Sequence, residues 1–123
     1  DLVPADATFR GGCISPGMKT RFRALHDYTA KLPLCAATES EELAGLTTRQ
    51  AIELGVMNGI AFEIEGYAAR MRSQIDDLCV IFTGGDANFF VKRIKNTIFA
   101  NCNLVFCGLN RILEYNASEE HLN

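Results

Sequence analysis

No apolar run in this chain comes near the ~20 residues that a membrane-spanning helix needs. No spanning helix is therefore expected. Basic charge is not in excess either: 12 Lys and Arg stand against 15 Asp and Glu, for a net charge of -3. Broad nucleic-acid binding relies on a basic face against phosphates and is not expected. The chain has no internal repeat and no low-complexity tract. No pair among the five cysteines, Cys13, Cys35, Cys79, Cys102 and Cys107, has C-x-x-C spacing. Their odd number and their places inside apolar runs predict reduced thiols that act as small hydrophobic residues. No metal ligand is expected, at Cys102 and Cys107 included. The chain opens with Asp1, with no Met and with neither a basic nor an apolar leader segment. It is expected to be a segment of a longer cytoplasmic protein. The sequon Asn116-Ala117-Ser118 has no consequence in that setting.

What is present is ordinary for a globular protein: 48% hydrophobic and 22% charged residues. At 123 residues the length suits one domain with a proper core. Residues 9–15 read as a strand interrupted by Gly11-Gly12, and Pro16-Gly17 breaks it. A short helix is predicted over 18–28, with Met18, Phe22 and Leu25 on one side. Residues 31–36 are a second strand candidate, placed at an edge or a strand start by Pro33. Residues 38–45 are polar and acidic and read as a surface loop or a single turn. The longest helix is predicted over 48–71, with Ile52, Val56, Ile60, Ile64 and Met71 at helical spacing. Thr47 is its N-cap, and Gln50 three residues on completes a capping box. Ala51, Gly55 and Gly59 form a stripe of small residues, which suggests close packing of another backbone, either the sheet or a second subunit. A strand follows over 78–82, then a helix near Asn88, a strand over 103–106 and a helix over 108–115. The pattern predicts an α/β sandwich, with early strands antiparallel and later ones parallel.

The junction Thr83-Gly84-Gly85-Asp86-Ala87 carries the one ligand signal. It joins the apolar run Leu78-Cys79-Val80-Ile81-Phe82 to an amphipathic helix. Glycines let the backbone turn sharply and approach a ligand closely. The unpaired amides that open a helix favour a phosphate or a nucleotide edge. A plain tight turn is the competing reading. In parallel sheets ligands sit beyond the carboxyl ends of strands, and this turn lies at such an end.

Six short motifs in collinear order carry a family resemblance. They are Phe9-Arg10-Gly11-Gly12-Cys13-Ile14-Ser15-Pro16-Gly17, Thr29-Ala30-Lys31-Leu32-Pro33, Thr48 with Ala51 and Gly55, Glu65-Gly66, Thr83-Gly84-Gly85-Asp86-Ala87, and Asn103-Leu104-Val105 with Gly108-Leu109. Over residues 1–115 the chain resembles the C-terminal half of type III pantothenate kinases. That family belongs to the superfamily of sugar kinases, actin and heat-shock ATPases. The resemblance implies a ribonuclease-H-like domain, a mixed sheet flanked by helices, as half of a two-domain actin-like ATPase fold. Residues 116–123 are then a polar C-terminal tail. It further implies ATP-dependent phosphorylation of pantothenate to 4'-phosphopantothenate, the first step of coenzyme A synthesis. The implied cofactors are ATP, Mg and a monovalent cation, potassium or ammonium. The implied assembly is a homodimer.

By the same resemblance Thr48 hydrogen-bonds pantothenate, with helix capping beside Thr47 as the plain alternative. Gly84 and Gly85 face the nucleotide. Asp86 caps its helix through the dipole and reaches toward a ribose hydroxyl. Gly11 and Gly12, with Pro16 and Gly17, shape a turn that lines the cleft, or form an ordinary β-turn. The basic residues Lys19, Arg21, Arg23, His26 and Lys31 either attract anionic substrates or form a solvated helix face. No residue matches the family's catalytic base or cation ligand. The family's "GxDR" and "DxGTAxT" segments are expected to precede Asp1, so this half alone is not expected to turn over substrate. A non-catalytic regulatory relative and a dimerisation domain are the other readings.

Overall fold

The computed structural model describes residues 1–94 and 99–120. They fall into two compact units, Asp1–Ile60 and Ala61–Asn123.

The first unit opens with a chain that doubles back on itself. The Leu2 amide donates to the Gly11 carbonyl and the Arg10 amide donates to the Leu2 carbonyl, both at 2.9 Å. Helix α1 (Met18–Asp27) starts after Gly17, which offers no side-chain cap. Arg21 ties that start down instead, donating to the Pro16 carbonyl at 2.7 Å and to the Ser15 hydroxyl at 2.9 Å. Phe22 is the buried residue of α1. His26 Nδ1 lies 2.8 Å from the Leu32 carbonyl, which holds the chain that follows.

Helix α2 (Thr48–Arg72) begins where the capping box predicts. The Thr47 hydroxyl accepts from the Gln50 amide at 3.2 Å. The Gln50 side-chain oxygen accepts from the amides of Thr47 at 3.2 Å and Leu46 at 3.0 Å. Three amides at the start of the helix thus find side-chain partners. Gly45 lies against this first turn: a Cβ there would sit 2.5 Å from the Ala51 nitrogen. Phe22, Cys35, Ile52, Leu54, Val56, Met57 and Ile60 form the buried apolar core of the unit. Asn58 is buried too, and its amide donates to the Glu42 carbonyl at 2.9 Å. This bond fastens the acidic 38–45 loop to α2.

The second unit holds the later turns of α2, then β1 (Ile81–Phe82), α3 (Ala87–Arg93), β2 (Phe99–Ala100) and α4 (Leu104–Glu120). β1 and β2 pair in parallel, with Ile81 opposite Phe99 and Phe82 opposite Ala100. Parallel neighbours need a crossover, and α3 lies on it. Ala87, Phe90 and Ile94 are buried.

Three sequence expectations are corrected. Residues 9–15 and 31–36 form no regular strand: an extended segment becomes a strand only with a paired neighbour, and among the described residues the sheet has two strands. Residues 103–106 are not a strand: 103 ends the turn at 102–103, and 104–106 open α4. A four-residue apolar run does not separate strand from helix, and the recurrence of apolar residues through Leu109, Ile112 and Leu113 decides for helix. The strand that pairs with β1 is Phe99–Ala100, upstream of the expected place. A mixed α/β arrangement rich in helix is present, and the two-strand sheet is smaller than a ribonuclease-H-like one. Residues 116–120 continue α4, and 121–123 lie outside the described residues.

Candidate functional site

Thr48 is the first residue of α2 and is exposed. Capping is done by its neighbour Thr47. Among the described residues the Thr48 hydroxyl has no hydrogen-bond partner. A threonine placed on the first helical turn with its hydroxyl unused can donate to, or accept from, a polar ligand.

In the same unit, Gly11 has φ +100, a conformation that side chains rarely adopt. Gly12 is needed for close approach: a Cβ there would lie 2.6 Å from Asp1 Oδ1 and 3.1 Å from Asp1 Cα. The two glycines therefore let the 9–12 segment pack on the first residues of the chain. Between the two limbs, Asp6 organises the turn. It accepts from the Thr8 hydroxyl at 2.6 Å and the Thr8 amide at 3.0 Å, and pairs with Arg10 at 3.2 Å. These bonds, the Thr8 hydroxyl first, hold its carboxyl below the usual value.

A cavity of about 540 Å³ opens beside the start of α2, lined by Thr38, Ser40, Glu42, Gln50, Glu53 and further residues, Thr48 not among them. Two carboxylates on its wall make it unsuited to an anion.

In the second unit, residues 83–86 follow directly on β1 and all four are exposed. Gly84 has φ +91, and its carbonyl accepts from the Ala87 amide at 3.3 Å. No atom lies within 4 Å of a Cβ built on Gly84 or Gly85, so the turn presents bare backbone. Asp86 stands at the N-cap of α3 without a side-chain cap bond. A dipole interaction, the form of capping expected for Asp86, needs no such bond. Its backbone is helical, φ -94 and ψ -1, whereas a capping side chain normally rises from an extended residue. Its carbonyl instead accepts from Phe89 and Phe90.

Because β1 and β2 are parallel, the residues after β2 lie at the same carboxyl edge as the 83–86 turn. The Asn101 amide donates to the Phe82 carbonyl at 2.8 Å, and Cys102 Sγ lies 3.6 Å from Asn88 Oδ1. Asn88, Asn101 and Cys102 were missed in the sequence because the last strand was placed at 103–106. The Asn101-Cys102-Asn103 turn signal was the clue to them.

Among the described residues no three His, Cys, Asp or Glu side chains gather as metal ligands. None of the described helices is long and apolar enough to cross a membrane.

A family model described as type III pantothenate kinase matches residues 1–70, more than half of the chain. The chain belongs to the type III pantothenate kinase family. The match includes Gly11, Gly12 and Thr48. A type III pantothenate kinase of Flavobacterium psychrophilum is 48% identical over 115 residues, which cover 94% of this chain and 48% of that relative. Others are the kinases of Christiangramia forsetii, 43% identical over 97% of this chain and 49% of the relative, and Cytophaga hutchinsonii, 47% identical over 94% and 49%. Matches of that extent leave only the chain's ends unaligned, so the 83–86 turn falls inside them. The chain spans about half the length of the curated relatives it matches.

Proposed function

We propose that this chain is one half of a kinase that transfers phosphate from ATP to pantothenate, forming 4'-phosphopantothenate for coenzyme A synthesis in the cytoplasm. The observation that carries the reading is family membership, with 43–48% identity to kinases so named. Phosphoryl transfer asks the protein for positioning and charge stabilisation more than for covalent chemistry.

In this reading Thr48 positions pantothenate through its hydroxyl. Support comes from the exposed, unpartnered hydroxyl and from Thr47, which does the capping. Gly84 and Gly85 offer the nucleotide a stretch of backbone at the carboxyl edge of a parallel pair, where ligands of such sheets collect. The exposed Asp86 carboxylate, free of a capping bond, is left to meet a ribose hydroxyl. Gly11 and Gly12 shape the wall that joins the first residues of the chain. The carboxylate base, Mg and the potassium or ammonium ion belong to the other half of the parent, which also provides the ribonuclease-H-like partner domain. Mg supplies charge neutralisation on the phosphates. The kinase works as a homodimer.

The test is ATP- and potassium-dependent phosphorylation of pantothenate by the intact parent protein. No 4'-phosphopantothenate from a parent with its "GxDR" and "DxGTAxT" segments in place would refute the reading.

A further inference from the structure

Asn58 interrupts the buried face of α2. Its neighbours Leu54 and Met57 are buried apolar residues, and Asn58 is 9% exposed beside them. A buried amide costs stability unless its polar atoms find partners, and an apolar residue there would carry no such cost. The core therefore does not call for asparagine. What the side chain does is reach out of the helix: its Nδ2 donates to the Glu42 carbonyl at 2.9 Å. The loop it holds gains little from apolar burial. Residues 39–44 are all exposed, Leu43 at 78%. The cavity beside the start of α2 lies between that loop and the helix, with Thr38, Ser40 and Glu42 on one side and Gln50 and Glu53 on the other. The loop thus spans a hollow, and hydrogen bonds set its place.

The far end of this loop delivers Thr48. Beyond Glu42 only Leu43, Ala44 and Gly45 precede the capping box, where the Gln50 side chain takes the Leu46 and Thr47 amides. Gly45 sits against the backbone of Gln50 and Ala51. The chain that enters α2 is therefore pinned to the helix at two places, by Asn58 and by Gln50. Asn58 lies about 15 Å along the helix from Thr48, at ~1.5 Å per residue. It acts through the loop and not by touching the group that Thr48 binds. Releasing its pin frees the residues in front of the helix to sample other positions. A site that is in place for only part of the time loses apparent affinity by that fraction, while the bound complex is unchanged.

We propose that Asn58 is a positioning residue for pantothenate: by holding the Glu42 carbonyl it keeps the chain that enters α2 where Thr48 meets the substrate. The proposal rests on reading Thr48 as the pantothenate contact. The test is a double-mutant cycle in the intact parent, with Asn58→Leu, Thr48→Ala and the two combined, read by kcat and by KM for each substrate. Asn58→Leu is expected to raise KM for pantothenate several-fold, with kcat and KM for ATP within about two-fold of wild type. Added to Thr48→Ala, it is expected to raise KM no further. A merely structural role would instead lower kcat in step with the loss of folded enzyme and leave both KM values alone. An unchanged KM for pantothenate in Asn58→Leu would overturn the proposal, and so would rises that multiply in the combined variant. Asn58→Ala gives the same reading should the leucine variant misfold. The outcomes separate the two claims. An active parent with an inert Asn58→Leu sinks the positioning role alone. An active parent in which Thr48→Ala changes nothing removes the Thr48 contact and this proposal with it. A wild-type parent that does not phosphorylate pantothenate sinks the functional reading itself.

Discussion

Two adjacent threonines at the start of α2 separate stability from function. Thr47→Ala removes the hydroxyl that accepts from the Gln50 amide at 3.2 Å. The Gln50 side chain still serves the Thr47 and Leu46 amides, so one bond of the box is lost and not the whole. Loss of an N-cap hydroxyl costs about 0.5–2 kcal/mol. In a protein of the relatives' length, each kcal/mol lowers Tm by about 2–4 °C. Thr48→Ala removes a hydroxyl that no described residue uses, so stability should stay within about 0.5 kcal/mol of wild type. If Thr48 holds pantothenate by one neutral hydrogen bond, its loss costs about 0.5–1.5 kcal/mol. That corresponds to a roughly two- to twelve-fold fall in kcat/KM for pantothenate. The assays are thermal unfolding and steady-state kinetics of the intact parent at varied pantothenate. A change in KM alone would mark a contact equal in ground and transition states. Wild-type kcat/KM in Thr48→Ala, with a loss of Tm like that of Thr47→Ala, would refute the division of labour.

Gly45→Ala should destabilise by about 1–3 kcal/mol in urea unfolding, because its Cβ would stand 2.5 Å from the backbone of Gln50 and Ala51. Gly55→Ala should act in the opposite sense, stabilising α2 by about 1 kcal/mol, since nothing lies within 4 Å of its Cβ position. A loss of stability there would show a second backbone seated on the small-residue stripe. Gly84→Ala should cost about 1–3 kcal/mol of strain at φ +91, and Gly84→Asn less, which thermal unfolding of both variants checks. Asp6 has a lowered carboxyl pKa, so its bonds to Thr8 and Arg10 stabilise the fold above the ordinary Asp value. They are lost as pH falls through the lower, folded-state value. An NMR titration of the Thr8 amide should therefore have its midpoint below that of an unstructured Asp, and a midpoint at or above it would refute the assignment.

Local chemistry made much of the chain legible. Thr47 and Gln50 mark the start of α2 because a capping box is satisfied within four residues. Pro16-Gly17 delimits α1, and the Gly84-Gly85 turn follows β1 where the residue types place it. Asp86 stands at the start of α3 without a side-chain cap bond, because that bond depends on backbone dihedrals as well as on residue type. The last strand was misplaced because a short apolar run fits either kind of element; the helical recurrence through Leu109, Ile112 and Leu113 and the pairing of Ile81 with Phe99 resolve it.

The amino-acid order alone determined the starts of α1 and α2, the kinase family and the threonine pair, since each depends on neighbours in the chain or on collinear motifs. Only the tertiary structure decided which threonine is left free, that Gly45 must lack a side chain, and that α4 shows its apolar face to water. Those outcomes depend on what lies across space from each residue, and partners distant in the chain leave no periodic trace in it.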